Sequence, residues 1–165
     1  MRLPKLSYDE LSPEQKVAWD EVVAGPRRKM HGPFFIWLHS PDLLSRGQAL
    51  GLYARFQSSL PQRLSELCIL ITAAHWKASG EWIDHAPIAR DLGVDADALD
   101  ALRKGEPARF KKDDEIAVYE TAQELLQTHE LSPTPPTSAP PTRSARAPCS
   151  MSSPCWATTA SSPCR

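Results

Sequence analysis

With 165 residues, 19 basic and 20 acidic side chains and a net charge of −1, the chain is long enough for one domain with a buried core and has no electrostatic footprint for nucleic acid. No apolar run is long enough to span a bilayer and the N-terminus lacks the apolar stretch of a secretion signal, so the expectation is a soluble cytoplasmic protein without a membrane partner. Three of the four cysteines, Cys149, Cys155 and Cys164, lie near the C-terminus without the paired spacing of a zinc site, which argues against both a disulfide framework and a structural metal.

The first helix signal is Ser12-Pro13-Glu14-Gln15. Serine stands at the N-cap, proline at the first helical position and glutamine where a capping box needs it. The spacing predicts a helix to about Ala24, with Val17, Trp19, Val22 and Val23 among its apolar residues, ended by Gly25-Pro26. Arg27-Arg28-Lys29 is a small basic cluster; it reads as a solvated loop or as an attraction for an anionic substrate. The aromatic-rich segment from His31 to His39 predicts a short helix lying over the core. Ser40-Pro41 opens the next helix, expected from Asp42 to about Ser58. Arg55 falls on or near the apolar face of that helix, where a guanidinium either snorkels or takes a carboxylate ligand.

The stretch from Leu60 to Gly93 organises the rest of the chain. Leu64, Leu67, Cys68, Ile71 and Ala74 form one stripe at helical spacing. The run from Leu67 to Ala74 is apolar on nearly every other face, the mark of a helix buried all round. Glu66 opens that run and His75 closes it. After a break at Ala78-Ser79-Gly80, Trp82, His85, Ala86 and Ala89 share a face of a second helix, and Glu81 lies one turn before His85. Cys68, on the apolar stripe, reads as an inert core residue. Gly93 stops the second helix. Asp95 begins a short helix from Ala96 to Lys104, closed by Gly105. The acidic run Asp113-Asp114-Glu115 suits the start of a last helix that carries Ile116, Val118, Ala122, Leu125 and Leu126 and fades near His129. No strand and no internal repeat is predicted. The expectation is an all-α bundle of about six helices over residues 1–130, followed by a tail over 131–165.

The pattern Arg63-Leu64-x-Glu66-Leu67, then Glu81-Trp82-x-x-His85-x-x-x-Ala89-Arg90-x-x-Gly93, resembles the carboxymuconolactone decarboxylase family, the all-helical group that includes alkyl hydroperoxidase D. The likeness extends upstream through residues 31–44 and 52–61 and downstream through 98–105 and 119–132, roughly the first four-fifths of the chain. The resemblance implies a helical bundle of the alkyl hydroperoxidase D-like type, assembling as a homo-trimer or homo-hexamer. It also implies cofactor-free, metal-free decarboxylation of a small carboxylated lactone in the breakdown of aromatic compounds. Glu66 stands nineteen residues before His85, as the family's proton-relay glutamate does relative to its histidine. On this reading Glu66, Glu81 and His85 are catalytic, His85 carrying the proton. Trp82 walls the pocket, Arg55 holds a substrate carboxylate, and His75 is a further binding residue. The Gly32-Pro33 segment is expected near the pocket mouth, and the aromatic surface from Phe34 to Trp37 at an interface between subunits. The dithiol positions of the peroxidase branch hold Ala78 and Glu81, so thiol peroxidase activity is not expected whatever the superfamily label. A non-catalytic helical oligomer that binds a small ligand is the alternative. A metal enzyme is weaker still, since no HExxH-type spacing is present.

From Leu131 onward the chain holds no Asp or Glu and is dominated by Pro, Ser, Thr and Ala. Taken as it stands, this is a low-complexity, disordered extension. Relatives in the family continue instead to an apolar helix with a Leu-x-Gly-Tyr-Tyr pattern. Reading the codons one nucleotide earlier turns Cys155-Trp156 into leucine and Trp156-Ala157 into glycine, whichever synonymous codons are used. Ala157-Thr158-Thr159 becomes two positions that each admit tyrosine. The tail is therefore read as out of frame from near Ser132. Resequencing the gene across the Ser132 codon in independent clones is expected to reveal a frame change; an intact codon series there would sink the reading.

Overall fold

The computed structural model describes residues 3–133; of the tail only its first three residues are among them, and the expectations for the rest lie outside the described residues. Ser12 caps the first helix as its sequence predicts. Its Oγ accepts from the Gln15 N–H at 3.3 Å and its own N–H donates to Gln15 Oε1 at 3.0 Å. The helix that follows, α1, spans Pro13–Ala24. Ala18 and Val22 turn inward, while Val17 and Val23 are exposed. A four-residue helix, α2, spans Phe34–Trp37. Gln15 Nε2 donates to the Leu38 carbonyl at 3.0 Å and ties α1 to the end of α2.

The predicted helix from Asp42 to Ser58 is two structures. Regular helix α3 runs Pro41–Leu52, and a π-helical turn occupies Tyr53–Gln57. The Ser58 N–H donates to the Tyr53 carbonyl at 2.8 Å, five residues back, in the wide spacing that defines the π form. Hydroxyls of Ser58 and Ser65 both donate to the Ala54 carbonyl, at 3.0 and 3.3 Å. These bonds fasten the widened turn to the helix that follows.

That helix, α4, spans Gln62–His75, and its partner α5 spans Ser79–Asp91. The reversal between them is made by Lys77, in the left-handed region at φ 52°. Ala78 N–H donates to the Ala73 carbonyl at 2.8 Å and Lys77 N–H to the Ala74 carbonyl at 3.2 Å. This is the Schellman arrangement, with lysine where glycine is more usual. Helix α5 ends in the same way at Gly93, whose φ is 82°, with Val94 N–H on the Ala89 carbonyl at 3.0 Å. Pro87 lies inside α5; lacking an N–H, it leaves the Ile83 carbonyl without its helical donor. Asp95 caps α6, Ala96–Lys104, through its side chain, and Gly105 closes it at φ 75°. Helix α7 spans Asp113–Thr128.

Among the described residues the fold is all-α, with seven helices including the short α2, and has no strand. No described helix is long and apolar enough to cross a membrane. The apolar residues gather into two clusters. One joins α4 to α7 through Leu67, Leu70, Ile71, Ala89, Leu99 and Phe110. The other gathers α1 to α3 around Val22, Phe34, Leu38 and Leu44. Phe34 is thus buried within the chain and is not free for the subunit interface expected of it; of that segment Ile36 is the residue exposed.

Helix α4 supplies the wall between the clusters, and the structure corrects the expectation that it is buried all round. Leu67, Leu70 and Ile71 are sealed, but Cys68 and Ile69 are only half-buried and Thr72 is exposed. At its start Arg63 pairs with Asp114 and with the buried Glu115, which also takes Lys112 Nζ at 3.2 Å. The buried Glu115 carboxylate is thereby neutralised and α7 is pinned to α4.

Leu70→Ala should lower unfolding stability by about 2–5 kcal/mol in urea titration, because it opens a cavity in the larger cluster. Leu50→Ala, at a site 70 % exposed, should change it by about 0.5 kcal/mol or less.

Candidate active site

Glu66 is fully buried, in the first half of α4 and one face round from the apolar stripe. An unpaired carboxylate there would cost several kcal/mol, and two partners meet it. Arg55, brought round by the π turn, donates from Nε to Glu66 Oε1 at 2.7 Å. His85 of α5 sets its Nδ1 2.6 Å from Glu66 Oε2. Burial pushes the Glu66 carboxyl up, but the hydrogen bonds from His85 and Arg55, together with their charges, outweigh it and hold the group below its ordinary 4.5. A carboxylate on Nδ1 places the ring's N–H there and leaves Nε2 as the exchangeable position. Nε2 lies 3.4 Å from Glu81 Oε2, whose side chain is 46 % exposed. The result is a chain of contacts, Arg55–Glu66–His85–Glu81, running from a sealed carboxylate to one in reach of solvent.

The chain opens on a cavity of about 390 Å³ at the seam between the two apolar clusters. Arg27, His31 and Phe34 line one side; Arg55, Glu81 and His85 line the other. A smaller cavity of about 250 Å³ shares Arg27, His31, Arg55 and His85 and adds Lys29 and Asp84. A groove of about 410 Å³ between α4 and α7 is slightly larger, but it is apolar and its one titratable side chain is Cys68. The chemistry therefore belongs to the seam, not to the largest opening.

The structure brings Glu66, Glu81, His85 and Arg55 together, with the tight contact to His85 coming from Glu66 rather than from Glu81. It places the other two predicted residues elsewhere. Trp82 packs in the cluster of α4 to α7 with its indole Nε1 buried and unpartnered, and it lines a different cavity with Ala74, Lys77 and Arg103. His75 is exposed at the end of α4 and stacks edge-on with Trp76 at 5.0 Å. Helical spacing puts Trp82 on the face of His85, and the two do lie only about 60° apart round α5; the helices packed there take Trp82 into the larger apolar cluster and leave His85 at the seam. Cys68 also differs from its reading: it is half-buried and lines the seam cavity. Burial raises its thiol pKa, which keeps it protonated and a poor nucleophile at neutral pH.

Of the basic cluster Arg27-Arg28-Lys29, read as a solvated loop or as an attraction for an anionic substrate, Arg28 and Lys29 are exposed, whereas the Arg27 side chain crosses from the α1–α2 loop into the seam. Its guanidinium carbon stands 5.1 Å from the Phe34 ring centre and 5.9 Å from that of Phe56. Space for that crossing is left on α3, where Gly47 and Gly51 stand one turn apart. A Cβ at Gly51 would meet Arg27 Nη2 at 2.8 Å and one at Gly47 would meet the Trp37 ring at 2.9 Å. Among the described residues no group of His, Cys, Asp and Glu is arranged to hold a metal ion. No family model, curated protein or solved structure matches the chain.

A carboxyl whose folded pKa lies below its unfolded one stabilises the fold above the unfolded value, and that contribution is lost as pH falls through the folded one. Unfolding free energy should therefore drop from about pH 5 to about pH 3, and Glu66→Gln should flatten part of that slope. The same variant should cost about 1–3 kcal/mol at pH 7, where the ionised partner of Arg55 is missing. Glu10, Glu14 and Asp95 also titrate low, so the difference between parent and variant isolates Glu66. Parallel curves would remove the carboxylate from this account.

Proposed function

We propose that the protein is a cofactor-free acid–base lyase of the carboxymuconolactone decarboxylase kind, acting on a small carboxylated ring compound, and that its bundle is of the alkyl hydroperoxidase D-like type. The observation that carries the proposal is His85, held at Nδ1 by a buried carboxylate and presenting its other side to an arginine-bearing cavity. In the reaction the bond between the ring carbon and its carboxylate breaks, the electron pair passes into the conjugated lactone, and carbon dioxide leaves. His85 returns a proton from Nε2 to the carbon. Glu66 holds the ring in its tautomer and offsets the charge when the imidazole is protonated. Glu81, half in solvent, reloads Nε2. No electron acceptor is required, because the substrate's own unsaturation takes the pair.

A thiol peroxidase reading gains no support. Ala78 and Glu81 hold the dithiol positions, and Cys68 is the single cysteine among the described residues, with its thiol held neutral. Assembly into a homo-oligomer is part of the proposal; Ile36, Leu43, Leu50 and Tyr53 offer exposed apolar surface for it.

On γ-carboxymuconolactone, with the tail returned to the proposed frame, His85→Ala should lose about a hundred- to ten-thousand-fold in turnover and keep its fold by circular dichroism. Combined with Glu81→Gln it should lose little more, since residues that act as a unit share one loss. Full activity in His85→Ala would leave the non-catalytic, ligand-binding reading ahead.

A further inference from the structure

We propose that Arg27 is the anion receptor of the seam cavity, the residue that selects a carboxylate-bearing ligand and fixes its orientation toward His85. The inference deepens the proposed lyase reading, since it names what that site recognises. Five cationic or potentially cationic side chains border the two cavities that meet at His85. Lys29 is exposed and lines only the smaller one, and three of the other four have defined partners. Arg55 is neutralised by Glu66 at 2.7 Å. His31 faces Asp84 at 3.3 Å. His85 lies between Glu66 and Glu81.

Arg27 differs. It makes no ion pair among the described residues, its Nε is buried without a hydrogen-bond partner, and its contacts are the faces of Phe34 and Phe56. It lines both cavities. Burial depresses its pKa, and the nearby charge of Arg55 adds to this against the pull of Glu81 and Glu66. A guanidinium stays charged regardless, so the fold holds a partly desolvated cation without a counter-ion at the wall of an open cavity. Such a group gains most from an anion that brings the missing hydrogen-bond acceptors, and a planar carboxylate matches the guanidinium fork.

The backbone makes room for this placement. Gly51 presents no Cβ where Arg27 Nη2 lies, and a methyl there would come within 2.8 Å of it. The aromatic rings of Phe34 and Phe56 beside the guanidinium suit a flat, unsaturated ring beyond the carboxylate. A compact ring acid anchored on Arg27 would turn its far edge toward His85, across the cavity.

Benzoate, with uncharged benzamide as its isostere, tests this by isothermal titration calorimetry on the full chain. Benzoate should bind the parent measurably and benzamide at least about tenfold more weakly, since a charge-assisted pair is lost. Arg27→Gln should weaken benzoate by about tenfold or more while Arg28→Gln, at an exposed neighbour, leaves it unchanged. Gly51→Ala keeps the arginine but displaces its fork, and should weaken benzoate several-fold; it decides the matter should Arg27→Gln misfold. Absent benzoate binding in the parent, equal binding of benzamide, or undiminished binding in Arg27→Gln or Gly51→Ala would each overturn the assignment. Binding is read without turnover. Benzoate held through Arg27 by a protein inert toward the lactone would remove the lyase reading and leave the receptor. Turnover with an unchanged KM in Arg27→Gln would do the opposite.

Discussion

One buried negative charge sets the arrangement of this molecule. Glu66 has no access to water, and its ionised form survives only because a guanidinium and an imidazole reach it from two other segments. Arg55 has to arrive from the end of α3 and His85 from the middle of α5. The path of the chain on either side of α4 is therefore constrained by the need to neutralise a single carboxylate. A second buried carboxylate, Glu115, does the same for α7 through Arg63 and Lys112. Both ion clusters involve α4, the helix shared by the reactive seam and the larger apolar cluster. Truncating one member of such a cluster costs more than the cluster contributes, because the remaining charge is left desolvated.

The two apolar clusters explain why a cavity forms where it does. Helices α1 to α3 close around Phe34, Leu38 and Leu44, and α4 to α7 around Leu67, Leu70 and Leu99. Polar and charged side chains occupy the boundary, where neither cluster can fill space with aliphatic groups. A cleft between two packed bodies with a few convergent polar groups is the usual setting of a small-molecule site. The Glu66–His85 pair sits at this boundary, with His85 on the wall of the arginine-lined cavities.

Much of this was legible from residue patterns, because the signals were local. The Ser12 capping box, the Gly93 and Gly105 stops and the Asp95 cap each involve a few neighbouring residues with one low-energy solution, and each is where the spacing placed it. The four-residue interval between Glu81 and His85 likewise gave a contact. Interval alone could not divide the faces of α5 correctly. Trp82 and His85 are both buried, yet they face different bodies, and only the position of the neighbouring helices separates them. Arg27 was ambiguous for a related reason. An arginine in a loop after a Gly-Pro stop is ordinarily solvated, and its recruitment to the seam depends on space left by Gly51, on a helix twenty-four residues further along. The π turn left no compositional trace at all, since Tyr53 to Gln57 would serve equally well in a regular helix.

That turn makes the C-terminal end of α3 longer by one residue than regular helical phase would allow. Each residue of an α-helix advances the side-chain direction by about 100°, so the widened turn acts as a phase adjuster with Arg55 at its middle. A lineage that lost a single residue between Tyr53 and Gln57 would regain an ordinary helix and a better backbone hydrogen-bond ladder. It would also rotate the guanidinium off the carboxylate and leave the buried charge to His85 alone. Local helical regularity and the coherence of the site are therefore in opposition along these five residues.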